Sequence, residues 1–192
     1  MSAKGSFLIL RRFRAGDEDI MLKAYGTCGP VKVFVPGGLK VDRGLLGYLE
    51  AFNLISFVYR QSGSLIIFDD LIEVEFISYL CLGSYQRFVW MNSIALFVER
   101  WFLQYDPELF NMALFYITLN PQNHGLFLSK FKLDFLRRLG LYKEEVFEER
   151  LRGLVRRLME EEALKRLERL KVSQELLSRL EDAIEAHLSS SL

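Results

Sequence analysis

The sequence predicts a two-part α+β chain: an N-terminal five-stranded β-barrel over residues 1–77, followed by an all-α helical bundle domain over residues 78–192. Three observations predict it. Up to about residue 76, aromatic and β-branched residues fall in short runs that end at turn residues such as Gly16, Gly26, Gly29-Pro30 and Gly37-Gly38. From about Ser78 the apolar residues recur at three and four instead of two. The chain is 192 residues long, 51% hydrophobic and 14% aromatic, which is enough material for a sizeable packed core.

The strands are expected at residues 5–14, 19–25, 31–36, 50–60 and 64–76, with the Gln61-to-Ser64 turn joining the last two. Five short strands leave open edges unless the sheet closes, and a small barrel closes it. Ser84 is placed to cap a helix running to Leu103, which is apolar nearly all round and is expected at the centre of the bundle. Asp106-Pro107-Glu108 starts the next helix, with a capping carboxylate, a proline in the first turn and an acid at the positive end of the dipole. Asn120-Pro121 ends it near Leu119, and a third helix from about Asn123 stops before Gly140. In the tail, residues 144–192, Leu151, Leu154, Val155 and Leu158 form one apolar stripe, and Ser173 begins a last helix.

Charge excludes little and steers little. Lys plus Arg matches Asp plus Glu at 25 each, so any electrostatic site has to be local. Cys28 and Cys81 stand alone, without a CxxC pair, and read as reduced thiols in or near the core. With His124 and His187 as the only histidines there is no zinc spacing, and no metal or cofactor is expected. The N-terminus has the wrong order and length for a signal peptide, and the most apolar window carries Gln86, Arg87, Glu99 and Arg100. A cytoplasmic chain without a membrane span is expected.

No nucleophile pairs with a base, so the expectation is a protein that is not an enzyme. Asp69-Asp70, neighbours on a strand, should point to opposite faces. The Pro36-Gly37-Gly38 turn lacks the spacing that cradles phosphates. Two basic clusters remain. Arg11, Arg12 and Arg14 on the first strand, with Lys40 and Arg43 from the loop, could follow a phosphate backbone while Phe13, Phe34 or Tyr48 offers a stacking face; ordinary solvated strand charge is the alternative. Lys130, Lys132 and Arg137, interleaved with Phe131, Leu133 and Phe135, could rim an apolar groove for an acidic peptide; the alternative is a core helix with a basic outer face.

The order of these features resembles one family. "KGSFLILRRFRAGDEDIMLKAYGTCGPVKVFVPGGLKVDRGLLGYLEAFNLISFVYRQSGSLIIFD", with its arginine-ended first strand, Gly-Asp-Glu-Asp turn and "LEAF" segment, followed by "DPELF", "KFKLDFLRRLGLY" and "LERLKVSQELLSRLEDAIEAHL", resembles the bacterial recombination mediator protein RecO family along nearly the whole chain. The resemblance implies an OB-fold barrel followed by a helical domain. It implies DNA repair and homologous recombination as the process, with binding of single- and double-stranded DNA, strand annealing, contact with the acidic C-terminal tail of single-strand binding protein, and RecA loading together with a RecR-like protein. Carried over by position, Arg11, Arg12, Arg14, Lys40 and Arg43 would serve DNA, and Lys130, Phe131, Lys132 and Arg137 the partner peptide. The four-cysteine zinc module of many members is replaced here by "KEEVFEERLRGLVRRLMEEEALK", without Cys or His, so the resemblance implies a variant in which zinc is not expected. A protein-interaction adaptor with the same fold and little DNA affinity is the alternative function.

Overall fold

The structure, a computed structural model, describes residues 2–63, 65–161 and 164–191. Ser64, the expected first residue of the fifth strand, lies outside them. The chain divides into two compact units, Met1–Leu119 and Asn120–Leu192, so the first two helices belong to the barrel's unit.

In the first unit, β1 (Ser2–Arg14), β2 (Ile20–Gly26), β3 (Gly29–Val35), β4 (Leu54–Ser62) and β5 (Leu65–Glu75) close into an OB-fold barrel in the order β1-β2-β3-β5-β4. Every pairing is antiparallel except β3 with β5. Alternate residues such as Phe7, Ile9, Leu22, Val33, Phe57 and Phe68 fill the interior. Phe57 is the hub of that filling, with ring centroids 4.9 Å from Phe7 and 5.2 Å from Phe68. Gly26 is required at the β2–β3 hairpin, because a Cβ there would lie 2.0 Å from the Ser6 carbonyl oxygen.

The fourth strand begins at Leu54, four residues later than its apolar pattern suggested. The reason is local. Phe52 takes a left-handed conformation (φ 75°), and its N–H donates to the Ile9 carbonyl at 2.7 Å while the Ile9 N–H donates to the Asn53 carbonyl at 2.9 Å. The Asn53 side chain is fully buried and satisfied on both ends: Nδ2 donates to the Gly47 and Tyr48 carbonyls at 3.3 and 3.1 Å, and Oδ1 accepts from the Ser78 N–H at 3.1 Å. One amide thus ties the long β3–β4 connection to the 3-10 turn (Ile77–Cys81) that leads into the helices. Leu45 and Leu49 of the same connection close the end of the barrel core.

Helix α1 (Tyr85–Trp101) starts on Ser84, whose hydroxyl accepts from the Arg87 N–H, and α2 (Pro107–Thr118) starts on Asp106, which accepts from Glu108 and Leu109. Contrary to the expectation that α1 lies at the centre of a bundle, it packs on α2 and on the outside of β1 and β2. The sheet asks for that cover: Phe7, Leu8, Ile9 and Leu10 are all buried, so β1 is apolar on both faces there. Tyr25, pointing out of the barrel, meets Phe102 at 5.1 Å and donates its hydroxyl to the Gln104 carbonyl at 3.0 Å.

In the second unit, α3 (His124–Arg138) packs against α4 (Glu149–Glu160) and α6 (Gln174–Ser191), with the short α5 (Leu164–Glu168) between the last two in sequence. The helix buried nearly all round is therefore α3. At its start a Cβ on Gly125 would come within 2.6 Å of a Leu177 methyl, so the glycine permits the close approach of α3 and α6. His187 is buried with Nε2 2.8 Å from the Leu141 carbonyl, a structural histidine. Among the described residues no helix is long and apolar enough to cross a membrane.

Replacing Asn53 by Ala takes the partner from the Gly47 and Tyr48 carbonyls and from the half-buried Ser78 N–H at once, and leaves a void where the fully buried amide was. The expected loss is about 3 kcal/mol of unfolding free energy, measured by urea denaturation followed by near-ultraviolet circular dichroism. A loss below about 0.5 kcal/mol would mean that the β3–β4 connection holds itself in place.

Candidate functional site

The outer face of β1, β2 and β3 carries the most organised polar arrangement of the first unit. Register places Arg11 opposite Lys23 and Lys23 opposite Lys32, a row of three cations across three strands. The next outward row is Phe13, Met21 and Phe34. Lys23 and Lys32 escaped the sequence reading, although the period-two alternation of "IMLKAY" and "PVKVFV" puts both outward. Like charges side by side on a sheet repel, and α1 supplies the counter-charge: Glu99 Oε2 is 2.7 Å from Arg11 Nε, and its Oε1 accepts from Lys23 Nζ at 2.5 Å. Lys23 also lies 5.9 Å from the Phe13 ring centroid, a cation–π contact.

The other four predicted basic residues collect around the connection of residues 36–53. Arg12 donates to Glu50 at 2.7 Å and to the Leu46 carbonyl at 3.2 Å. Lys40 pairs with Glu18 at 2.7 Å, and that carboxylate raises the lysine's pKa. Arg43 bonds the Pro36 carbonyl, and Arg14 bonds the carbonyls of Gly16 and Asp17 at the β1–β2 turn. The turn and the connection meet through the Asp19 carboxylate, which accepts from the Gly37 N–H at 2.7 Å. All five basic residues are exposed, and each is held by a carboxylate or carbonyl. Exposed pairs of this kind contribute about 0–1 kcal/mol.

The acidic pair Asp69-Asp70 does not split between two faces. Phe68 and Leu71 both pack on the barrel core although three residues apart, because β5 shifts register against β4 between Val58 and Tyr59. The extra residue leaves both acids outside, where Asp69 pairs with Arg60 at 2.9 Å. The expectation that both thiols lie in or near the core agrees with Cys81 and needs correcting for Cys28. Cys28 is exposed at the β2–β3 turn, with Sγ 2.9 Å from the Tyr59 hydroxyl, and Cys81 is half-buried, bonding the Ser78 carbonyl.

The predicted peptide site lies inside the second unit. Phe131 is 0% exposed and Lys130 only 6%, and Lys132 is buried beside them. Lys130 Nζ donates to the Leu158 carbonyl at 2.9 Å and pairs with Asp134 at 3.3 Å, while Arg137 reaches the same carboxylate at 3.2 Å. Lys132 pairs with Glu185 at 2.6 Å. Spacing alone brought Lys130, Asp134 and Arg137 together correctly, but α4 and α6 cover the sector that a peptide would use; of the four residues, Arg137 is the exposed one. Among the described residues no group of three or more His, Cys, Asp or Glu could hold a metal ion.

A comparison with curated proteins finds a relative in Aquifex aeolicus (strain VF5), an uncharacterized protein 39% identical over 150 residues, which cover 78% of this chain and 70% of the relative. This chain belongs to the same family as that Aquifex aeolicus protein. No protein-family model matches the chain. For this family member, then, the site is argued from its own geometry.

Two measurements check that geometry. Lys130→Ala removes the buried ammonium yet leaves Asp134 its Arg137 partner, so the expected cost is about 2–3 kcal/mol, read as the unfolding of the α3–α6 unit in urea. The hydrogen bond to Cys28, with burial, pushes the Tyr59 pKa from 10.0 up to about 12. Its folded-state pKa is raised, so its contribution to stability is complete below pH 10 and fades as pH rises toward 12. Alkaline absorbance titration should show that Tyr59→Phe removes a tyrosinate step near pH 12; loss of a step near pH 10 instead would break the Cys28–Tyr59 assignment.

Proposed function

We propose that this chain is a RecO-like mediator of DNA repair and homologous recombination, a cytoplasmic protein without catalytic chemistry that binds single- and double-stranded DNA through the barrel. The observation that carries this reading is the cation row Arg11–Lys23–Lys32 beside the Phe13–Met21–Phe34 row on β1–β3, the face on which OB folds bind oligonucleotides. Phosphates suit the cations and bases suit the rings. Arg12, Arg14, Lys40 and Arg43 carry exposed cations on toward the end of the barrel, with Glu50, Asp17 and Glu18 beside the first three. The resemblance of the chain to the RecO family adds the partners: the acidic tail of single-strand binding protein, a RecR-like protein and RecA loading, with strand annealing as the outcome. With Lys130, Phe131 and Lys132 buried, an acidic tail would meet the outside of the helical unit, where Arg137 lies.

A second reading rests on a different observation. Glu99, Glu50 and Glu18 already neutralise Arg11 with Lys23, Arg12 and Lys40, which suits a protein-interaction adaptor that keeps the fold and has little DNA affinity.

Fluorescence anisotropy of a labelled 20-nucleotide single strand separates the two. The mediator should bind at micromolar or lower concentration, with affinity falling as salt rises. Arg11→Ala with Arg12→Ala should then flatten the log–log salt slope by about 1.4, at roughly 0.7 for each phosphate no longer neutralised. Absence of binding at low salt would leave the adaptor.

A further inference from the structure

We infer that the single-stranded DNA surface does not stop at the barrel but continues onto α1, in a groove where bases are held between Phe13 and Phe88. This inference rests on the mediator reading and adds the base-binding element to it. The groove, about 440 Å³, runs between the end of β1, the Phe52 turn and the outer side of α1. Phe13 from the strand and Phe88 from the helix line it and are 40% and 43% exposed, so both rings have surface to offer. Arg11 and Arg12 line the same groove, and no acidic side chain does. The carboxylates that hold the two arginines, Glu99 and Glu50, lie outside the lining. Asn92, one helical turn beyond Phe88, adds an amide that donates and accepts.

Each property has a consequence for the ligand. An apolar slot with π faces takes a planar base, whatever its identity, because every base has a stacking face. Two guanidiniums at the slot then meet the phosphates on either side of that base. A duplex keeps its bases stacked on each other and cannot use the slot, so the groove selects single strands. Phe88 is held in place by Phe52, with ring centroids 5.8 Å apart, and Phe52 is fixed by its backbone bond to Ile9, so the helix wall of the groove is formed before the strand arrives.

The test uses the whole chain with fluorescein-labelled oligo-dT of 20 nucleotides, comparing Phe88→Leu, Phe88→Ala and the Arg11→Ala/Arg12→Ala pair. Phe88→Leu keeps the apolar contact with Phe52 and removes the ring face, so it guards against misfolding. Expected is at least a fivefold loss of affinity for either Phe88 variant with the salt slope unchanged, and a flattened slope for the arginine pair. Photo-crosslinking of 5-iododeoxyuridine-substituted oligo-dT to the unaltered protein should give adducts on Phe13 or Phe88. If Phe88→Leu binds like the unaltered protein while the arginine pair weakens, the groove inference falls and the mediator reading stands. If the unaltered protein does not bind oligo-dT at low salt, the mediator reading falls first. Crosslinks confined to other segments, or displacement of oligo-dT by a Leu- and Glu-rich peptide that binds more tightly, would reassign the groove.

Discussion

The first unit depends on one buried amide. Asn53 has no exposure to solvent, and its side chain bonds two carbonyls of the β3–β4 connection and the N–H of Ser78. A buried polar group left unpaired costs on the order of 1–3 kcal/mol, so this side chain is stable in one arrangement, the one in which connection, strand and following turn all meet. That arrangement sets where β4 begins, seats Leu45 and Leu49 in the barrel's end, and fixes the turn from which α1 departs. The left-handed Phe52 is the local strain that goes with it, and its buried ring and bond to Ile9 hold that conformation.

What α1 does follows from where it is anchored. Lying over the apolar outer side of β1 and β2, it carries Glu99 to Arg11 and Lys23, two cations that register sets side by side. The same helix brings Phe88 to the edge where Phe13 stands. One element therefore both neutralises the strand cations and supplies a wall of the groove. Glu99 is itself largely covered, so its bonds to Arg11 and Lys23 hold the helix to the strand cations more firmly than pairs between two exposed side chains would.

The second unit shows a different use of charge. Along α3, Lys130, Asp134 and Arg137 form a run of contacts in which the lysine and the carboxylate are buried and the arginine is exposed. The ammonium also bonds the last-turn carbonyl of Leu158 in α4. Such a group is costly to bury alone and tolerable when its donors are used, so it fixes which face of α3 meets α4. A basic helix that looks built for a peptide in sequence is here a central helix with its charges consumed internally.

By itself the sequence determined the order of elements, because period and capping are local. Alternation marks five strands, Ser84 and Asp106 cap the two helices they precede, and the glycine at 140 closes the third. It also determined that Lys130, Asp134 and Arg137 share a helical sector, since spacing on a helix is fixed by its geometry. Tertiary structure alone decided exposure. Whether α1 or α3 is central, whether Phe131 faces solvent or core, and whether Asp69 and Asp70 share a side all depend on which surface another element covers and on a register shift between β4 and β5. The meeting of Glu99 with Arg11, 88 positions apart in the chain, could be read from neither period nor composition. Contacts between distant residues are set by packing, and no local pattern encodes them.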